Sequence, residues 1–126
     1  MMNEIRAFSS DQFGEVRTVT INDEPWFVAA DVCRALTIGN SRMATDRLDD
    51  DEKAPASLTV TSSNGVKQQR EMTVINEPGL YSLVLGSRKP EAKTFKRWIT
   101  HEVIPAMRKQ GVYAVDELLN DAIHHT

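Results

Sequence analysis

The residues best placed to do chemistry are cationic. Arg88, Lys89, Lys93, Lys96 and Arg97 fall within ten positions. At about 100° per residue, Lys89, Lys93, Lys96 and Arg97 share one arc of a helix, beside the arc that carries Ala92, Phe95, Ile99 and Val103. Cations on a rigid rod can track a phosphate backbone, and each phosphate they neutralise releases counterions. The plain alternative is a solvated face whose long stems cover apolar surface. A second set, Lys67, Gln68, Gln69 and Arg70, lies just past Asn64-Gly65. A two-stranded ribbon can enter a major groove, where Gln and Arg read adenine and guanine edges. An exposed arm with merely soluble side chains explains the same residues. Arg42 and Arg47 share the ambiguity, and the adjacent Asp49–Glu52 run would repel phosphate.

Other chemistry lacks a constellation. His101 and Glu102 are adjacent and point in different helical directions, which suits no shared metal. His124 and His125 sit at the chain end. No H-E-x-x-H, G-x-S-x-G, P-loop or dinucleotide fingerprint is present, and Asp49–Glu52 lacks the spacing of a calcium loop. A non-enzyme without metal or cofactor is the expectation. The single cysteine, Cys33, can form neither an internal disulfide nor a Cys-based zinc site, and reads as a small buried apolar residue. Trp26, Tyr81, Phe95 and Trp98 have the spacing of core residues rather than of a base-stacking platform. Asp31, at a helix opening, suits a cap or dipole partner better than a catalytic acid.

These side chains need elements to hold them. Ile5–Phe8 and Glu15–Ile21 read as strands joined by Ser9, Ser10, Asp11 and Gly14. Asn22-Asp23-Glu24-Pro25 reads as a turn into the strand Trp26-Phe27-Val28. Ala29–Leu36 has helical spacing, Gly39-Asn40 ends it, and Ser41 is placed to cap a helix through Leu48. Asp49–Glu52 reads as a solvated loop. Leu58–Thr61 and Val66–Ile75 flank Asn64-Gly65, the signature of a type I′ hairpin. Asn76-Glu77-Pro78-Gly79 opens a helix over Leu80–Leu85, closed by Gly86. Ser87–Glu91 begins the longest helix, with Pro90 in its first turn. Pro105 must kink that helix or start a new one at Ile104-Pro105. Gly111 stops it, and Asp116 is placed to cap a short helix, Glu117–Ile123. The order is not a βαβ alternation. It predicts an α+β fold: antiparallel β-hairpins packed with several short helices and one longer C-terminal helix.

The chain has 126 residues, 40% of them hydrophobic and 26% charged, as in an ordinary globular domain. No apolar run approaches the roughly 18 residues of a membrane-spanning helix. The N-terminus lacks the features of a secretory signal, so the expected location is the cytoplasm. The formal net charge is −3. Gly86–Gln110 carries seven basic and two acidic residues, or +5, which leaves −8 for the rest. Such a chain can still bind a polyanion locally.

Three ordered blocks resemble a known family. Pro25-Trp26-Phe27-Val28-Ala29-Ala30-Asp31-Val32, continuing to Leu36, is similar to the W-F-V-A-x-D-V-x-x-x-L opening of the Bro N-terminal domain. That domain occurs in phage antirepressor-like proteins and baculovirus Bro proteins. Asn76-Glu77-Pro78-Gly79-Leu80-Tyr81, continuing through Ser87-Arg88-Lys89-Pro90-Glu91-Ala92-Lys93-Thr94-Phe95-Lys96-Arg97-Trp98, resembles N-E-x-G-L-Y-x-L-x-x-x-S-x-K-P-E-A-K-x-F-K-R-W. Glu102-Val103-Ile104-Pro105-Ala106-Met107-Arg108-Lys109-Gln110-Gly111-Val112-Tyr113 resembles E-V-L-P-x-I-R-K-x-G-x-Y. Pro78 stands where Ser is frequent, and proline is acceptable at a helix start. The blocks span residues 25–113, and their combination is specific.

The resemblance implies a transcription-regulating module, associated in phages with relief of repression through DNA or through the repressor. Residues 1–113 are expected to form this domain and 114–126 a helical tail. Many members carry a separate C-terminal domain; the expectation is either a chain without one or the N-terminal module of a longer protein. The expected partner is double-stranded DNA, contacted by Arg88, Lys89, Lys93, Lys96, Arg97, Lys67, Arg70 and Arg42. The alternative is a module that sequesters a repressor without touching DNA, its acidic remainder facing a basic partner. A regulator of a palindromic site is expected to be a homodimer, for which Asp116–Ile123 is the candidate surface.

Overall fold

A computed structural model describes residues 5–111. The strands are β1 (Arg6–Ser10), β2 (Gly14–Ile21), β3 (Glu24–Val28), β4 (Lys53–Thr61) and β5 (Lys67–Ile75). They form one antiparallel sheet in the order β1-β2-β3-β5-β4. Helices α1 (Ala29–Ala35) and α2 (Ser41–Asp46) follow β3, and α3 (Glu77–Gly86) follows β5. A last rod joins α4 (Glu91–Trp98), a π segment (Ile99–Val103) and α5 (Ile104–Gly111). This is the expected α+β fold. The expected tail helix over Glu117–Ile123, and with it the candidate dimer surface, lies outside the described residues.

Alternation decides which side chains meet. Val16, Phe27 and Ile75 point to the helical side of the sheet and pack against Val32, Leu80, Phe95, Ile99 and Val103, all fully buried. Val19, Val28, Ala56, Leu58 and Val74 form a smaller cluster on the opposite face, with Trp26 half-buried against it. Ala92, Phe95, Ile99 and Val103 are the buried face of the last rod, as their spacing predicted. Phe95 and Trp98 both pack on Phe13, at centroid distances of 5.1 and 6.0 Å.

Two turn expectations change places. Gly65 has φ +85°, but Asn64 does not adopt a positive φ, so Asn64-Gly65 is not a type I′ turn. Ser62 pairs with Val66 across a three-residue loop: Val66 O accepts from Ser62 N–H, and Ser62 O accepts from Gly65 N–H. That is a type I turn followed by a left-handed glycine. The type I′ geometry sits instead at Asn22-Asp23, with φ of 53° and 64° between the paired Ile21 and Glu24.

The helix ends differ in detail from expectation. Asn40, not Ser41, caps α2 by accepting from Met43 N–H. Asp49–Glu52 is not a plain loop: Asp50–Glu52 is a 3-10 turn closed by a capping box between Asp49 and Glu52. The last helix begins at Glu91, with Pro90 at its cap, so Arg88 and Lys89 lie on the preceding connection. Pro105 has the predicted effect in an unforeseen form. Ile104 N–H donates five residues back to Ile99 O, which widens the rod ahead of the proline, and α5 starts there.

Candidate nucleic-acid interface

The exposed cations depend on a scaffold of hydrogen bonds around α3. Asn76 caps α3 by accepting from Gly79 N–H at 3.0 Å, while its own amide donates to Asp51 O at 2.9 Å. Its backbone N–H donates to Glu52 O. One residue thus ties the acidic turn to the helix. Gly79 permits that approach, because a Cβ there would lie 2.8 Å from Glu52 O. Glu77 accepts from Tyr81 Oη at 3.1 Å and from Arg108 Nη2 at 3.2 Å, which fastens α5 to α3. Burial, and then the Glu77 charge and hydrogen bond, push the Tyr81 hydroxyl above its ordinary value against the opposing pull of Arg108. Lys96 Nζ lies 5.5 Å from the centre of the Tyr81 ring.

On this scaffold Arg88, Lys89, Lys93, Lys96 and Arg97 are all exposed. Among the described residues none of the five has a carboxylate within 4 Å; the ion pairs there join Arg17 and Arg34 to Asp31, and Arg108 to Glu77. Lys93 and Arg97 stand opposite the buried Phe95–Ile99 face, and Lys96 flanks them on the α3 side. Arg97 also borders a groove of about 470 Å³ lined by Phe13, Trp98 and His101. Among the described residues no three of His, Cys, Asp and Glu gather as a metal site requires. No helix there is long and apolar enough to cross a membrane.

The sheet sorts charge along its strands. β2 and β5 are each antiparallel to β3, so they run in the same direction. The turn before β2 and the loop before β5 therefore leave one end of the sheet. The opposite end collects Asp23 and Glu24 of the β2–β3 turn, the Asp49–Glu52 run and Glu77, seven carboxylates from three distant segments. The last rod spans both ends: α4 meets Phe13 beside the β1–β2 turn, and Arg108 of α5 reaches Glu77. Lys93 and Arg97 thus lie toward the end away from those seven carboxylates, an end that holds Asp11 and Glu15 at the β1–β2 turn and Glu102 in the groove beside Arg97.

The hairpin beyond that end is an arm. β5 pairs with β3 only through Val74 and Ile75, whereas it pairs with β4 along its whole length. Past β3, Ala56 and Leu58 of β4 stay buried in the cluster with Val19 and Val28, so the free ribbon is Lys67–Gln69 with Thr59–Thr61, about 10 Å long. Lys67 shares the helical side of the sheet with Gln69, and Arg70 faces the other way with Gln68, whose oxygen accepts from its guanidinium. Arg42 stands apart on α2, whose Thr45 carbonyl holds the Lys53 ammonium near the acidic end.

Sequence spacing did not reveal the Arg17–Asp31 pair. Asp31 is 2% exposed and accepts from Arg17 N, Nε and Nη2 at 2.8–2.9 Å, with Arg34 at 3.4 Å. That hydrogen bonding raises the Arg17 pKa against the cost of its burial. Asp31 lies in the first turn of α1, as a dipole partner should, but makes no cap; it pins α1 to β2. Its one signal was that Asp31 is the single charge in the apolar run Trp26–Cys33.

The profile of the BRO family, N-terminal domain, matches residues 15–105. The chain belongs to this family. Its relatives include a Haemophilus influenzae protein described as uncharacterized, 40% identical over 116 residues, which cover 90% of this chain and 55% of that protein. Bro-N domain-containing protein 289L of Invertebrate iridescent virus 6 is 28% identical over 127 residues, covering 90% of this chain and 30% of its own. Bro-N domain-containing protein 019R of Invertebrate iridescent virus 3 is 27% identical over 119 residues. The chain thus spans about half the length of the first relative and under a third of the viral ones. No solved structure matches it. In this Bro-N domain Asp31, Asn76, Glu77, Gly79 and Tyr81 have internal partners or close packing. Lys89, Lys93 and Arg97, from the same motif blocks, make no side-chain hydrogen bond or ion pair among the described residues.

Proposed function

We propose that this Bro-N domain docks on double-stranded DNA as a module of a phage- or prophage-type regulator, antirepressor-like, working in the host cytoplasm by binding and not by catalysis. The observation that carries this reading is the set of five exposed cations, Arg88, Lys89, Lys93, Lys96 and Arg97, with no carboxylate in ion-pair range among the described residues. Cations already engaged by carboxylates would gain little from phosphate, whereas among the described residues Arg88, Lys89, Lys93 and Arg97 have only water and counterions to exchange for it, and Lys96 leaves only the face of the Tyr81 ring. Lys93 and Arg97 carry the +5 segment toward the end of the sheet opposite the seven clustered carboxylates, so a polyanion arriving there meets a local field different from that of the whole chain. Duplex affinity across a salt series tests the reading: steep weakening with salt supports it, and no binding at low salt removes it.

The acidic end of the sheet favours a second reading, capture of a repressor through that repressor's basic surface. It predicts a salt-sensitive complex with a repressor that is lost when Asp49, Asp50 and Asp51 become Asn, with no duplex binding by the domain itself.

A further inference from the structure

We infer that the β4–β5 arm is the part of this domain that enters the DNA major groove and reads sequence, through the face that bears Lys67 and Gln69. The inference rests on the DNA-docking reading above and assigns the tasks within it. The rod offers Lys93, Lys96 and Arg97, point charges and a fork suited to phosphate. The arm offers a different chemistry. Its helical-side face is a ladder of hydrogen-bonding side chains fixed by the strand register: Thr61 opposite Lys67, Thr59 opposite Gln69, Ser57 opposite Glu71. Ser57 Oγ donates to Gln69 Oε1 at 2.8 Å, and Gln69 Nε2 donates to Thr59 Oγ1 at 3.3 Å. The Gln69 amide is therefore held in one orientation, the condition for it to distinguish one base edge from another.

Shape and charge agree on the occupant. A two-stranded ribbon fits a major groove about 12 Å wide, and the free tip's reach of about 10 Å matches its depth of about 8.5 Å. From Pro55 to Thr73 the arm holds Lys67, Arg70 and Glu71 as its charged residues, a net +1 on a chain of −3. It leaves the sheet at the end opposite the seven carboxylates. Its Lys67 face lies on the same side of the sheet as the rod. Gln68 and Arg70 lie on the reverse face, the side that buries Leu58 and Val74.

The test is a selection of duplexes from a randomised library by the whole chain, followed by affinities for the enriched duplex and a shuffled one. For Lys67→Ala/Gln69→Ala we expect the ratio of the two affinities to fall about tenfold while binding to the shuffled duplex stays within a few fold. Lys67→Ala alone, which leaves the Ser57–Gln69–Thr59 bonds in place, should lower the ratio severalfold. Gln68→Ala/Arg70→Ala should leave the ratio unchanged, and Lys93→Ala/Lys96→Ala/Arg97→Ala should weaken both duplexes alike. An unchanged ratio in both Lys67 variants overturns the arm's role and leaves the docking reading intact. Enrichment of no sequence by a chain that does bind duplex also overturns it. Absence of duplex binding at low salt overturns the docking reading, and the inference with it.

Discussion

Replacing Lys93, Lys96 and Arg97 with alanine should change the salt dependence of duplex binding by an amount that follows from the structure. Five exposed cations without a carboxylate in ion-pair range among the described residues can each neutralise a phosphate. At ~0.9 per phosphate, the log–log slope of affinity against salt is about −4.5, or roughly 500-fold between 50 and 200 mM. The triple variant keeps Arg88 and Lys89, so its slope is about −1.8 and its loss over the same range about 12-fold. Lys96 contributes less than a full unit if it stays over the Tyr81 ring, which puts the expected change between about 2 and 3 units. Arg108→Ala is the control: its guanidinium is engaged by Glu77, so the slope should move by well under one unit. Fluorescence anisotropy with a labelled duplex at four or five salt concentrations reads all of these. A triple variant whose slope changes by less than about one unit refutes the assignment of phosphate contacts to α4.

The scaffold makes its own predictions. Asp31→Ala removes the acceptor of three Arg17 bonds from a 2%-exposed site; with Arg17 able to recover some water, unfolding should become easier by about 3 kcal/mol, and thermal melting should fall by roughly 10 °C. A fall under about 3 °C would show that the pair is not what holds α1 to β2. Gly79→Ala drives a Cβ to 2.8 Å from Glu52 O and should cost about 1–3 kcal/mol in urea denaturation, whereas Gly39→Ala meets nothing within 4 Å and should not. Tyr81 should ionise above the ordinary tyrosine range, first because burial disfavours its anion and then because Glu77 does. The native state then holds that proton more tightly than the unfolded chain. Its contribution is complete below pH ~10 and declines as pH rises from there through the raised native value. Absorbance near 295 nm follows the titration, and Tyr81→Phe should flatten this part of the alkaline stability profile.

Much of this was legible because it is local. The apolar arc Ala92–Phe95–Ile99–Val103, the helix opening at Asn76-Glu77-Pro78-Gly79 and three hairpin strands follow from period and turn chemistry within a few residues. What escaped is set by distance along the chain. Asn64-Gly65 is compatible with more than one turn, and the pairing of Ser62 with Val66 selects the three-residue form. Arg17 and Asp31 meet across 14 positions. The insertion of β5 between β3 and β4 depends on which apolar faces share a core, and no local pattern states that. The cationic residues were legible as a set; their position relative to the carboxylates was not.

That relative position resolves the conflict between a net charge of −3 and a polyanionic partner. Were the 18 acidic residues spread evenly, every approach of DNA would meet repulsion. Sheet topology instead gathers seven of them at one end. The opposite end of β5 is eight residue steps away, about 27 Å at ~3.4 Å per step. At physiological ionic strength the Debye length is about 8 Å, so that span is more than three screening lengths and the acidic end contributes a few per cent of its unscreened effect there. Phosphates close to Lys93 and Arg97 lie within one screening length of both. The charge that a duplex meets is therefore the local one, set at Lys93 and Arg97 by these two cations with Glu102, Asp11 and Glu15 as their acidic neighbours and not by the seven carboxylates at the far end.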